Sequence, residues 1–215
     1  MPQEGFSRLD SQGKKPQPQA WRLNDGKVST ISLDLGVHLH HIIDYLTGEY
    51  PLQVVADAAS YGWFDDVIDN VSCMLRYSGG LHCQMWYSKS ALGQRNGLKV
   101  RVYGDKGSAE WLQIQPEELL VSTIDGRREI LDRASSVDVA NLARYNRFKA
   151  GHPAGFIEAF ANIYYDIADA YSDFQQSGVF KSLEVLGGTH ALNGLKLCEA
   201  IDLSADESRW VSLVD

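Results

Sequence analysis

Asp34-Leu-Gly36-Val-His38 carries the most chemistry of any spacing in this chain. If the segment is helical, the carboxylate and the imidazole fall within one turn of each other. Such a pair can polarise a hydroxyl and move its proton, because a neutral imidazole is a usable base near neutral pH. Asp34 has a second reading as a helix cap, a short acceptor for free backbone N–H groups, and capping does not exclude catalysis. His40 and His41 extend the cluster. His38 and His41, three apart, could share an ion, but Asp44 lies a turn further along and supplies no obvious third ligand. No metal is expected.

Two further places attract notice. Trp21-Arg22 interrupts a polar stretch from Ser11 to Gly26 that holds Pro16 and Pro18. A Trp in a polar loop needs cover, so it is either an anchor tucked onto the domain or a wall of a substrate cleft. His152 stands between Gly151 and Pro153, where it could be a surface helix cap or a polar group in the cleft. Lys89, Arg95 and Asn96 precede the strand at Leu98 and are within reach of a cleft, but are not chosen. No Gly-x-Gly-x-x-Gly follows a strand, so nothing here cradles a pyrophosphate. No Gly-x-Ser-x-Gly elbow is present either.

These residues need elements to hold them. Ile31 to Gly48 reads as one helix, with Asp34 and Gly36 at its entry, His38 in its first turn and Ile42, Ile43 and Leu46 as its apolar stripe. A β-rich block follows. Strands are expected around Val54–Ala58, at 69–77 with Val71, Cys73, Leu75 and Tyr77 on one face, and at 81–90, 98–103 and 108–114. Two more, at 118–123 and 127–131, flank the hairpin signal Asp125-Gly126. Helices are expected at 137–149, from Pro153 to Gly178 with Phe156, Phe160, Ile163, Ile167 and Ala170 as a stripe, and at 182–203. Short strands are expected at 3–9 and 210–213. Short turns between strands imply antiparallel pairing, and helices flanking the block give an α+β class. The expectation is one open, largely antiparallel sheet with helices on one face, in a single domain over 1–215 whose residues 1–26 are a peripheral strand and loop.

The chain has 215 residues, 44% apolar and 22% charged, with a net charge of -8. That size allows a large domain with its own core. The acidity disfavours nucleic acid and anionic membrane as partners. No apolar run approaches membrane length, and the N-terminus lacks a signal-peptide form. Three cysteines without paired spacing fit buried thiols in a reducing cytoplasm.

Asp34-x-Gly36-x-His38 opening a helix, Gly104-Asp-Lys-Gly107-Ser108 between two strands, and Gly151-His152-Pro153-Ala-Gly155-Phe opening a long helix occur in that order. Together they resemble the substrate domain of the glucose–fructose oxidoreductase and inositol dehydrogenase family, from about Trp21 onward. The resemblance implies a fold similar to the glyceraldehyde-3-phosphate dehydrogenase-like C-terminal domain, without a Rossmann half. It implies an NAD(P)-dependent dehydrogenase of a sugar, polyol or related cyclic alcohol. His38 would be its acid/base group, with Asp34 holding a substrate hydroxyl and orienting the imidazole. His152, and with it Trp21 and Arg22, would contact substrate. NAD or NADP would be bound by a nucleotide-binding domain absent from this chain, together with a catalytic Lys. Starting at Met1 without that fold, the chain reads as a truncation or excised domain, inactive alone. Tyr77, Trp86, Tyr103 and Trp111 on the strands suggest a homodimer through the sheet face, at roughly 25 cal/mol per Å² of apolar surface buried. The alternative is a sugar-sensing binding protein of the same fold, without turnover. A third is a structural module that only dimerises. The sequence departs from the family at two places. His41 replaces the usual Asp three residues after the His, and Val28-Ser-Thr-Ile-Ser-Leu stands where a glycine run often precedes the Asp. Both bear on substrate shape.

Overall fold

Alternation along Asn70–Tyr77 (β2) sets one sheet: Val71, Cys73, Leu75 and Tyr77 all point inward and are buried. The computed structural model describes residues 9–15, 17–139, 142–182 and 184–213. Its chain contacts form two compact units, Met1–Arg95 with Gly187–Asp215, and Asn96–Leu186. In the first unit, β2 pairs on one side with Pro51–Ala59 (β1) and on the other with His82–Ser88 (β3). The short Val211–Ser212 (β8) completes the order β3-β2-β1-β8. In the second unit Lys99–Gly104 (β4), Gly107–Leu112 (β5), Leu119–Thr123 (β6) and Arg128–Leu131 (β7) form a meander in sequence order. Every pairing is antiparallel. The α+β class is as expected, with the strands divided between two four-stranded sheets.

Two helices cover the first sheet. Val37–Thr47 (α1) continues a π-helical turn at Ser32–Gly36. Gly188–Glu207 (α3) lays Leu197, Cys198 and Ile201, spaced for one helical face, into the core with Ile31, Val54 and Leu75. The sheet's opposite face is open, with Trp86 56% and Met74 50% exposed. Of the strand aromatics Tyr77, Trp86, Tyr103 and Trp111, Tyr77 lies inside the core with Val71, Cys73 and Leu75. The phase of α1 also differs from expectation. Leu39, His40 and Ile43 turn inward, while Leu46 is exposed. The π turn accounts for this: one extra residue per turn rotates everything after it relative to a regular helix.

In the second unit Phe156–Ser177 (α2) starts as expected near Pro153, with Glu158 Oε2 accepting the Gly155 N–H at 2.9 Å. Within its apolar stripe Ala170 is buried, whereas Phe156 is 73% exposed and Ile163 52%. The described residues of 137–149 are turns and not the expected helix. Val139, Leu142 and Phe148 there are exposed. With no stripe to bury, a short helix has little to gain. The last helix begins at Gly188, after an extended Gly187, and not at Ser182. The expected strand at 3–9 lies outside the described residues, except for Leu9, which is irregular.

Candidate active site

Asp34 sits in the π turn, whose helical path begins at Thr30, so it does not cap the helix. The neighbouring carboxylates do that work. Asp25 accepts the Thr30 N–H at 2.7 Å, and Asp202 accepts the Ser29 N–H at 2.5 Å. The turn is pinned from below by a buried polar chain. Ser29 Oγ donates to Asp202 Oδ1 at 3.0 Å and lies 2.8 Å from Ser32 Oγ, which bonds the Tyr87 hydroxyl at 2.8 Å. Gly36 lets the helix lie on that tyrosine. A methyl group at Gly36 would stand 3.2 Å from the Tyr87 Cζ and hydroxyl oxygen.

The Asp34 carboxylate then points at two cations. Arg22 grips it with its guanidinium, and Lys89 Nζ lies 2.8 Å from Oδ2. Burial pushes the Asp34 carboxyl up, but the hydrogen bonds from Arg22 and Lys89 and their charges outweigh it and hold it below the ordinary carboxylate value. Asp34 is therefore a fixed anion, with its side chain 28% exposed. Lys89 is the residue that sequence reasoning passed over. It follows β3, where Tyr87, Ser88 and Lys89 are all buried and alternation ends. A lysine beyond a strand end carries no signal by itself.

His38 is the second residue of α1, exposed, four positions after Asp34. No hydrogen bond joins the two among the described residues; both Asp34 oxygens are taken up by Arg22 and Lys89. Trp21 is half exposed, its Nε1 donates to Gln19 at 3.0 Å, and its ring lies 4.2 Å from the Arg22 guanidinium. It thus stacks on the arginine that holds Asp34. His152 is in the second unit, exposed, with its carbonyl accepting from Arg133 Nη2 at 2.6 Å. His40 is buried beneath Gly194 of α3, and Asp44 pairs with His190 at 2.8 Å, tying α1 to α3. Burial lowers the His40 pKa against the pull of Asp44. Among the described residues no three His, Cys, Asp or Glu side chains are grouped to hold a metal.

Beside this cluster a cleft of about 210 Å³ opens between the β1–β2 connection and the end of β3. Arg22 and Lys89 form its charged end, and Trp63, Phe64, Ile68 and Leu92 line much of the rest. Asp69 shapes the connection by accepting the Tyr61 N–H at 3.0 Å and the Gly62 N–H at 2.6 Å. A Cβ at 62 would stand 2.6 Å from Asp69 Oδ2, so a side chain there has to displace the carboxylate. Among the described residues all strand pairs are antiparallel, and no strand leads through a glycine-rich turn into a helix. Among the described residues no helix is long and apolar enough to cross a membrane.

Residues 5–110 match the family model of the GFO/IDH/MocA C-terminal domain. An uncharacterised oxidoreductase, YfiI, of Bacillus subtilis (strain 168) is 28% identical over 172 residues, covering 77% of this chain and 43% of that protein. An oxidoreductase from Pseudomonas syringae is 26% identical with a TM-score of 0.75, over 86% of this chain and 52% of its own. An inositol dehydrogenase homolog from Azotobacter vinelandii, solved in complex with NADH and myo-inositol, shares the fold at 24% identity and a TM-score of 0.76, over 89% and 51%. The chain thus spans about half the length of these solved relatives. Over residues 5–110 the chain is thus similar to the C-terminal domain of the GFO/IDH/MocA family, and it shares the fold of these solved oxidoreductases.

Proposed function

We propose that the chain is the substrate-binding part of an NAD(P)-dependent dehydrogenase of a sugar, polyol or related cyclic alcohol. The observation that carries the reading is the fixed Asp34 anion, partly open to solvent and one helical turn from an exposed imidazole. The match of residues 5–110 to the family model supports the reaction class. The A. vinelandii homolog, with its NADH and myo-inositol, supports the cofactor and substrate types. Asp34 accepts a hydrogen bond from a substrate hydroxyl, and the Arg22 and Lys89 charges keep it ionised to do so. An imidazole nitrogen of His38 takes the proton of the reacting hydroxyl. Trp21 and Arg22 form the adjoining wall. Hydride acceptance belongs to a nicotinamide held outside this chain, so the chain alone is silent.

A reducing cytoplasm suits its three free thiols. Exposed apolar residues on the second sheet, Tyr103 at 75% and Ile130 at 62%, favour a homodimer through that face. Light scattering that gives a monomer at micromolar concentration removes the dimer. For activity, the full-length protein is assayed for nicotinamide reduction with a panel of polyols and sugars. His38→Ala lowers kcat by about 100-fold or more. Wild-type rates in that variant, or ligand binding with no cofactor reduction in the parent, overturn the reading.

A further inference from the structure

The cleft that ends at Arg22 and Lys89, the two cations on Asp34, is lined mostly by apolar side chains. Trp63, Phe64, Val67 and Ile68 are half-buried around it, with Tyr61 and Leu92 at the rim. Lys15 Nζ stands 5.3 Å from the centre of the Trp63 ring and fixes that wall from the neighbouring loop. A dry cavity of about 150 Å³ takes one benzene. At about 210 Å³ this cleft has room for one substituted six-membered ring.

Charge decides which kind of ring. Arg22 and Lys89 face the cleft, but both are engaged by Asp34. Asp69 adds a carboxylate to the lining, and Asp25 lies just behind it, bonded to the Thr30 and Ile68 N–H groups. Two cations are thus matched by at least two carboxylates. An anionic ligand would have to displace Asp34 from its partners, at the cost of uncovering a buried lysine. A neutral ring with an apolar face needs no such exchange. It places its face on Trp63 and its edge hydroxyls toward the charged end.

We propose that this cleft binds a neutral six-membered ring of the substrate beyond the one that is oxidised: a second sugar or an aryl aglycone. The preferred substrate is then a glycoside and not a free monosaccharide or inositol. The inference rests on the reading that a sugar or polyol reacts at Asp34 and His38.

Binding to the 215-residue chain itself tests it, by calorimetry with three probes: methyl β-glucoside, phenyl β-glucoside and cellobiose. One or both of the latter two bind about tenfold or more tightly than the methyl glycoside, from the added apolar contact. The tighter of the two identifies the ring type. Trp63→Ala abolishes the difference, and Trp63→Phe retains most of it. Should Trp63→Ala fail to fold, Leu92→Arg at the exposed rim serves, because a cation in the mouth removes the same preference. Equal affinity for the three probes, or no binding of any, overturns the proposal. So does phenyl β-glucuronide binding tenfold tighter than phenyl β-glucoside. These arms need no turnover. A full-length enzyme that oxidises polyols without preferring glycosides sinks this inference alone, and ring preference without cofactor reduction sinks the dehydrogenase reading alone.

Discussion

Lys89 Nζ stands 2.8 Å from Asp34 Oδ2, joining the end of β3 to the π turn that opens α1. The lysine is 8% exposed, and that carboxylate is its counter-ion. Removing the partner and removing the lysine are therefore not equivalent acts.

Asp34→Asn leaves Lys89 buried without its counter-ion. A fully enclosed pair would lose 3–5 kcal/mol, and the partial exposure of Asp34 reduces this to roughly 1–3 kcal/mol. Lys89→Met keeps the length and removes the charge, while Arg22 still holds Asp34, so the cost stays under about 1 kcal/mol. Urea midpoints of the two variants and the double variant check this. Equal losses, or strict additivity, would show that the two charges are not coupled.

Stability also responds to acid through Asp34. Its folded pKa is depressed below the ordinary value of 3.8, so the folded state binds this proton less readily than the unfolded chain. Its contribution is complete above that value and is lost as pH falls through the lower folded one. The acid limb of a stability profile, taken by urea unfolding from about pH 5 to about pH 2, becomes shallower in Asp34→Asn.

Asp202 behaves in the opposite sense. Burial raises its pKa, and the bonds from Ser29 only partly oppose this. Its contribution is complete below 3.8 and declines as pH rises through the raised folded value. Asp202→Asn keeps an acceptor for the Ser29 N–H and should remove that decline. An unchanged slope between the two proteins would count against a strained buried carboxylate.

Gly36→Ala tests the seat of the π turn. Alanine gains up to about 1 kcal/mol of helix propensity over glycine, but its methyl must push the buried Tyr87 ring off its bond to Ser32. The net loss is about 1 kcal/mol, a fall of about 2–4 °C in Tm by calorimetry. A rise in Tm would mean that the ring has room to move.

The three thiols should be slow. Burial pushes Cys73 and Cys198 up to about 12 and Cys83 to about 11. Under native conditions at neutral pH a thiol-specific disulfide reagent reacts far more slowly than with a free thiol, Cys83 first, and all three react at once in denaturant. A fast native reaction at Cys198 would contradict its enclosure between α3 and the π turn.

Local pattern carried much of this protein. Alternation at Val71, Cys73, Leu75 and Tyr77 gave β2 and its inward face, because a strand's two faces differ by one residue. Asp125-Gly126 fixed the β6–β7 hairpin, and Gly178 the end of α2. Asp34-x-Gly36-x-His38 lies on the expected helix, but inside it, since the helical path already begins at Thr30. The residues that surround Asp34 were not legible. Arg22 is twelve positions away and Lys89 fifty-five, and no spacing rule connects them. Only the folded chain brings a loop and a strand end to the same carboxylate. The π turn, the inward rotation of His40 and the aromatic cleft at Trp63 are likewise settled by packing against Tyr87 and α3, since they are relations between distant segments and not properties of any one of them.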